Sequence, residues 1–213
     1  FDHLELSLNY TMQHRGPHNL PLIGHADWND CLNLNCFSET PGESFQLAGD
    51  ESGGDVAESL MIAGLFCAAC NDMNALYDHL GNADKSDKIR KYRAEMEAAV
   101  LEHGWDGDWF LRAFDAAGAK IGSRENEEGK IFIESQGWCI LGKIGLNQGY
   151  AQKALDAVNR HLATNDGIIL QQPAYQEYHL ELGEITSYPP GYKENAGIFT
   201  HNNTWIQIAE TML

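Results

Sequence analysis

Leu4, Leu8, Thr11 and Met12 recur at the three-and-four spacing of one helix face, and Gly16-Pro17 then stops the pattern. From Gly16 to Asp55 no period holds, and the stretch is dense in Gly, Pro, Asn, Ser and Asp. A loop this long is uncommon in a compact domain unless it builds a binding surface. Val56 to about Leu80 reads as a helix closed by Gly81, apolar around most of its girth and so buried on more than one side. Ser86 to His103 reads as the next, with Ile89, Tyr92, Met96, Ala99, Val100 and His103 on one stripe and Gly104 as its stop. "DWFLRAFDAAGAKIG" then reads as strand, turn and strand, with Ala117-Gly118 at the tip.

Ile133 to about Leu146 is helical in pattern, and Gly149 to Leu162 carries Ala151, Ala154, Leu155, Val158 and Leu162 on one face. "GIILQQPAY" is a short extended piece, a Gly/Pro-rich loop follows through Gly197, and Thr200 to Leu213 begins a last helix. The order is helix, loop, helix, with no alternation of strand and helix that would announce a parallel sheet. The expected class is all-α with small β-hairpin insertions. Antiparallel helical pairs closing into an α/α toroid, with the functional loops at one mouth, fit this order best. An ordinary helical bundle is the alternative, although bundles have shorter loops.

Composition narrows the partners. A chain of 213 residues with 43% hydrophobic positions can bury one sizeable core. A net charge of −17 repels phosphate backbones and anionic lipid, which argues against nucleic-acid and membrane binding. No run of about eighteen uninterrupted apolar residues is present, so no membrane span is expected. Five cysteines make an odd count without a secreted-scaffold spacing, which points to reduced thiols and a cytoplasmic setting. Cys67-Ala-Ala-Cys70 lies in an apolar helix, where cysteine acts as a small hydrophobe; no second Cys/His pair accompanies it, so no metal is expected. The chain begins at Phe1 and ends at Leu213, both inside helical patterns, which suggests a piece of a longer protein.

Two clusters carry chemistry. "GHADWNDCLN" brackets a tryptophan and an asparagine between Asp27 and Asp30. A carboxylic acid of raised pKa can protonate a departing glycosidic oxygen, with the indole walling off water and stacking on a sugar. The same residues can equally cap a helix or make an Asx turn. "ELGEITSYPPGYKENAGIFTHNN" gathers acids, tyrosines, a lysine and a histidine around Pro189-Pro190-Gly191, the stiff polar setting that a hydroxyl-rich ligand needs. His201, at the start of the last helix, can bind an anion with the helix amides or cap them.

"NLPLIGHADWNDCLNLN", "PGESFQ", "GKIFIESQGWC", "ILQQPAY" and "EITSYPPGYKENAGIFTHNNTWI" together resemble glycoside hydrolase family 94, the inverting disaccharide phosphorylases, and those acting on cellobiose in particular. The resemblance covers essentially the whole chain. It implies part of an (α/α)6 toroid, the six-hairpin barrel. The family's N-terminal β-sandwich, early barrel helices and C-terminal tail would lie outside residues 1–213, so the isolated fragment is expected to be inactive and poorly soluble. It further implies Asp30 as the general acid, Trp28 lining the sugar site, Glu184 and Tyr188 contacting sugar, and Lys193 beside the acceptor. His201 would bind phosphate and Asp27 would support the loop or tune Asp30. The implied reaction is cellobiose plus phosphate giving α-glucose 1-phosphate and glucose, reversibly. Inorganic phosphate is then a co-substrate, no cofactor is needed, and the full-length protein is expected to be a homodimer.

Three alternatives stay open. The disaccharide can be another one, such as chitobiose, a cellodextrin or laminaribiose. An inverting glycosidase would need a second carboxylate, for which Glu184 is the candidate. A noncatalytic sugar-binding piece is the third.

Overall fold

The computed structural model describes residues 1–35, 37–43 and 56–213. Cys36 and the last three residues of "PGESFQ" lie outside the described residues. Six α-helices dominate the described residues: α1 (Asp2–Gln13), α2 (Leu60–His79), α3 (Ala83–His103), α4 (Ile133–Leu141), α5 (Tyr150–His161) and α6 (Thr200–Glu210). Short strands β1 (Glu58–Ser59), β2 (Ala113–Phe114) and β3 (Lys120–Ile121) form one antiparallel sheet in that order, and β4 (Ile131–Phe132) pairs with β5 (Gln171–Gln172). The fold is mostly helical with small antiparallel sheets, as the periodicity predicts.

α2 packs on both α3 and α4, and α4 packs in turn on α5 and α6. Alternate helices α2, α4 and α6 thus form one row, with α3 packed on α2 and α5 on α4. By length and composition α2 passes for a membrane span. It is interrupted by Asn71, Asp72, Asn74 and Asp78, and its face carrying Leu60, Ala63, Phe66 and Tyr77 is buried in the core. Cys67 and Cys70 are free thiols in that core, and burial raises both, Cys70 to about 12.

Two helix boundaries differ most from the periodic reading. The helix expected from Val56 opens at Leu60, because Glu58 and Ser59 are extended and pair with Phe114 and Ala113. Ser59 then caps α2 by accepting the Ile62 N–H at 3.1 Å. Two fully buried strand residues leave no alternation to read, so they merge with the apolar helix that follows. Likewise α4 stops at Leu141 and not near Leu146, since Lys143 and Gly145 take left-handed φ values of 58° and 59°.

Close approach of α2 and α4 depends on Gly64. A Cβ there would lie 2.5 Å from the backbone carbonyl carbon of Trp138 and 2.6 Å from the Cys139 nitrogen. Alanine is the better helix former by about 1 kcal/mol, yet overpacking against rigid backbone costs about 1–3 kcal/mol. Gly64→Ala is therefore expected to destabilise the protein in chemical denaturation. An unchanged or raised midpoint would show that the two helices can part freely.

Candidate active site

The segment 24–35 has no regular structure and is held by side-chain amides. Asn35 donates Nδ2 to Gly24 O at 2.8 Å, Asn33 donates Nδ2 to Asp30 O at 2.9 Å, and the Asn33 N–H reaches Leu182 O at 3.0 Å. The last contact joins this segment to the second chemical cluster, 149 residues further along (182 − 33).

The two aspartates occupy opposite environments. The Asp27 side chain is buried, and Arg112 donates Nη1 to its Oδ2 and Nη2 to its Oδ1, both at 2.6 Å. The Ser59 hydroxyl donates to Oδ2 at 2.6 Å, and the Asn29 N–H to Oδ1 at 3.0 Å. Burial pushes the Asp27 carboxyl up, but the guanidinium and these donors outweigh it and hold its pKa below the usual range. Arg112 is itself placed by the hairpin and by α4: its N–H bonds Ile121 O at 2.8 Å, and Gln136 accepts the Phe110 N–H at 2.8 Å while donating to Phe110 O at 2.7 Å. Asp27 is the tie between the loop and the hairpin.

Asp30, in contrast, is exposed, with the Cys31 thiol 3.7 Å from its Oδ1. It opens on a hollow of about 480 Å³ lined also by Cys31, Glu184, Tyr188, Lys193, Glu194 and Phe199. The Tyr188 hydroxyl donates to Glu184 Oε1 at 2.6 Å and lies 3.4 Å from Cys31 Sγ. Burial, the thiol and the Glu184 carboxylate all raise the Tyr188 pKa, and burial raises Cys31 to about 12. Both groups stay protonated near neutrality. Lys193 Nζ sits over the Tyr188 ring, 4.7 Å from its centroid. The turn holding them is fixed by Asn195, which donates Nδ2 to Tyr188 O at 2.7 Å and accepts the Tyr175 N–H at 2.9 Å.

Trp28, half-buried, lies edge-on to His201, Phe199 and Trp205, with ring centroids 5.1, 5.6 and 5.7 Å away. Phe199 both lines the hollow and touches the His201 ring, which places His201 beside it. His201 is exposed in the first turn of α6, whose N-cap, Phe199, offers no capping side chain. The first turn of α6 thus begins next to Phe199, which lines the hollow, and Phe199 gives its amides no side-chain acceptor.

The residues singled out from the sequence thus converge. Asp30, Glu184, Tyr188 and Lys193 share the hollow, Trp28 and His201 stand beside it, and Asp27 lies behind it. Arg112, Ser59, Glu134 and Glu194 escaped the sequence reading. An arginine inside the apolar run "DWFLRAF" was the one available signal. Glu194 matters because donor atoms of Asp30, Cys31 and Glu194 all lie within 4.8 Å of one another.

Residues 1–213 match the catalytic-domain description of the glycosyl hydrolase 94 superfamily. The chain belongs to this superfamily. Relatives of this glycosyl hydrolase 94 domain include an N,N'-diacetylchitobiose phosphorylase of Vibrio proteolyticus, 30% identical over 100% of the chain and 24% of the relative. A solabiose phosphorylase of Paenibacillus borealis is 28% identical over 99% of the chain and 25% of the relative. A cellobionic acid phosphorylase of Neurospora crassa is 27% identical over 94% and 23%. The glycosyl hydrolase 94 chain described here spans about a quarter of the length of these relatives. All three are named as disaccharide phosphorylases, and each name carries a different disaccharide.

Proposed function

We propose that this domain carries the general acid of an inverting disaccharide phosphorylase, with Asp30 as the acid and inorganic phosphate as the nucleophile. The observation that supports this most is the contrast between the aspartates: both oxygens of Asp27 are occupied by Arg112, while Asp30 faces a hollow of about 480 Å³. That volume suits a small polar ligand. An inverting hydrolase needs a second carboxylate to deprotonate water. Phosphate is already an anionic nucleophile, so its side of the sugar needs hydrogen-bond donors and positive charge instead. His201 and the first-turn amides of α6 are the groups assigned to it.

On this reading phosphate attacks the anomeric carbon, the glycosidic C–O bond breaks, and the Asp30 proton passes to the departing oxygen. Synthesis returns that proton to Asp30. Trp28 offers a stacking wall, Glu184 and Tyr188 meet sugar hydroxyls, and Lys193 stands beside the acceptor. Asp27 holds the loop through Arg112. We assign cellobiose as the first disaccharide to test, giving α-glucose 1-phosphate and glucose. The packing of alternate helices α2, α4 and α6 in a row, with α3 on α2 and α5 on α4, supports the reading of these helices as part of an (α/α)6 toroid.

A glycosidase is the second reading, favoured by the Glu194 carboxyl within 4.8 Å of Asp30. Such a spacing is shorter than the roughly 6.5–9.5 Å of an inverting hydrolase pair and near the roughly 5–5.5 Å of a retaining one. Incubating the intact protein with cellobiose, with and without phosphate, separates the two. Glucose 1-phosphate formed only with phosphate is the expected result. Glucose released equally without phosphate transfers the assignment to the glycosidase, and the same assay on chitobiose, laminaribiose and cellotriose ranks the disaccharides.

A further inference from the structure

Behind the Asp-Trp-Asn-Asp turn lies a buried group that the reaction above does not use. Glu134, in the first turn of α4, is fully buried, and among the described residues neither of its carboxyl oxygens has a hydrogen-bond partner. Two donors near it are equally unmatched: Arg112 Nε, 3.9 Å from Oε1, and Asn29 Nδ2, on a side chain that favours the charged form of Glu134. Buried polar atoms are rarely left alone, so two free donors beside two free acceptors point to one interaction set.

We propose that Glu134 is a positioning residue for the general acid, holding the Asn29 amide and the Arg112 guanidinium from behind so that the turn presents Asp30 to the hollow. The inference rests on Asp30 being that acid. Asn29 is the hub of the turn, since its N–H bonds Asp27 and its Oδ1 accepts the Cys31 N–H at 3.2 Å. Arg112 is held from two sides, its Nη atoms by Asp27 and its Nε facing Glu134. Helix α4 thereby reaches the catalytic turn through one side chain.

The hold depends on charge. Arg112 is a single cation between two buried carboxyls, and burial raises Glu134 to about 7 against the pull of Arg112. The ionisable groups facing it are Arg112, Asp27 and Tyr175. Ionised Glu134 can accept from both free donors; the protonated acid has less to offer and loosens the turn.

The test is Glu134→Gln in the intact protein, with hydrogen exchange across residues 27–33 read by mass spectrometry alongside kinetics. Exchange is expected to quicken at least about threefold, kcat to fall about tenfold with KM within about twofold, and the inflection of kcat near pH 7 to vanish. Asn29→Ala should give the same signature, and the double variant should be no worse than either single one. Unchanged exchange, or losses that simply add, would overturn the proposal even where Asp30 proves to be the acid. Should Glu134→Gln fail to fold, Asn29→Ala carries the exchange and kcat arms alone, and wild-type values there overturn the proposal. Quickened exchange in a protein without phosphate-dependent turnover would instead reject the assigned reaction and leave the contact standing.

Discussion

Asp30→Asn in the intact protein is expected to lower kcat for phosphorolysis about a thousandfold while leaving KM for the disaccharide within a few-fold. General acid catalysis contributes about 10²–10⁴-fold, and an amide of the same shape has no proton to give. Glu184, Tyr188 and Lys193 keep their positions because they hold one another and Asn195, not Asp30. A loss confined to kcat marks an interaction made in the transition state; a rise in KM alone would mark a binding residue. Steady-state kinetics on the purified variant decide between these. Near-normal turnover would withdraw Asp30 from the role.

The second large effect is on stability. Arg112→Met removes the cation from a site where Arg112 is fully buried and Asp27 almost so. Breaking a buried pair by deleting one partner costs about 3–5 kcal/mol, because the remaining charge stays buried without compensation. Urea unfolding of the variant should register a loss of that order, and adding Asp27→Asn should restore part of it. A loss under about 1 kcal/mol would mean that the pair behaves as a surface one.

The pair also sets an acid limit. Asp27 has a folded pKa below its unfolded value, so its contribution is fully present above the unfolded value and is lost as pH falls through the folded one. Glu134 acts in the opposite sense. Its folded pKa of about 7 lies above the ordinary 4.5, so the folded state binds the extra proton and stability declines as pH rises between those values.

Helices were legible in the sequence because a buried face repeats every third or fourth residue over several turns, as Ala151, Ala154, Leu155 and Val158 do. Boundaries such as Glu58–Ser59 were not, since pairing with Ala113 and Phe114 is decided by residues far along the chain. The same limit applies to chemistry. Asp27 and Asp30 are identical in type and share one short motif, and what separates them is Arg112, 85 positions from Asp27. Nothing in the sequence marks Glu134 out from other acids near a helix start, and only the structure shows it fully buried. The loop of Glu184, Tyr188 and Lys193 was readable because a stiff segment crowded with polar and aromatic groups has few structural uses, whereas the individual residues came from the family resemblance.

Trp28 leans on His201, Phe199 and Trp205 at once. On the proposed reading the indole serves the sugar and the imidazole serves the anion, so both ligands order the same small cluster of rings. Whichever arrives first bears part of the entropic cost for the other. Thermodynamic linkage then makes the favour mutual: phosphate tightens the hold on sugar by the same factor by which sugar tightens the hold on phosphate.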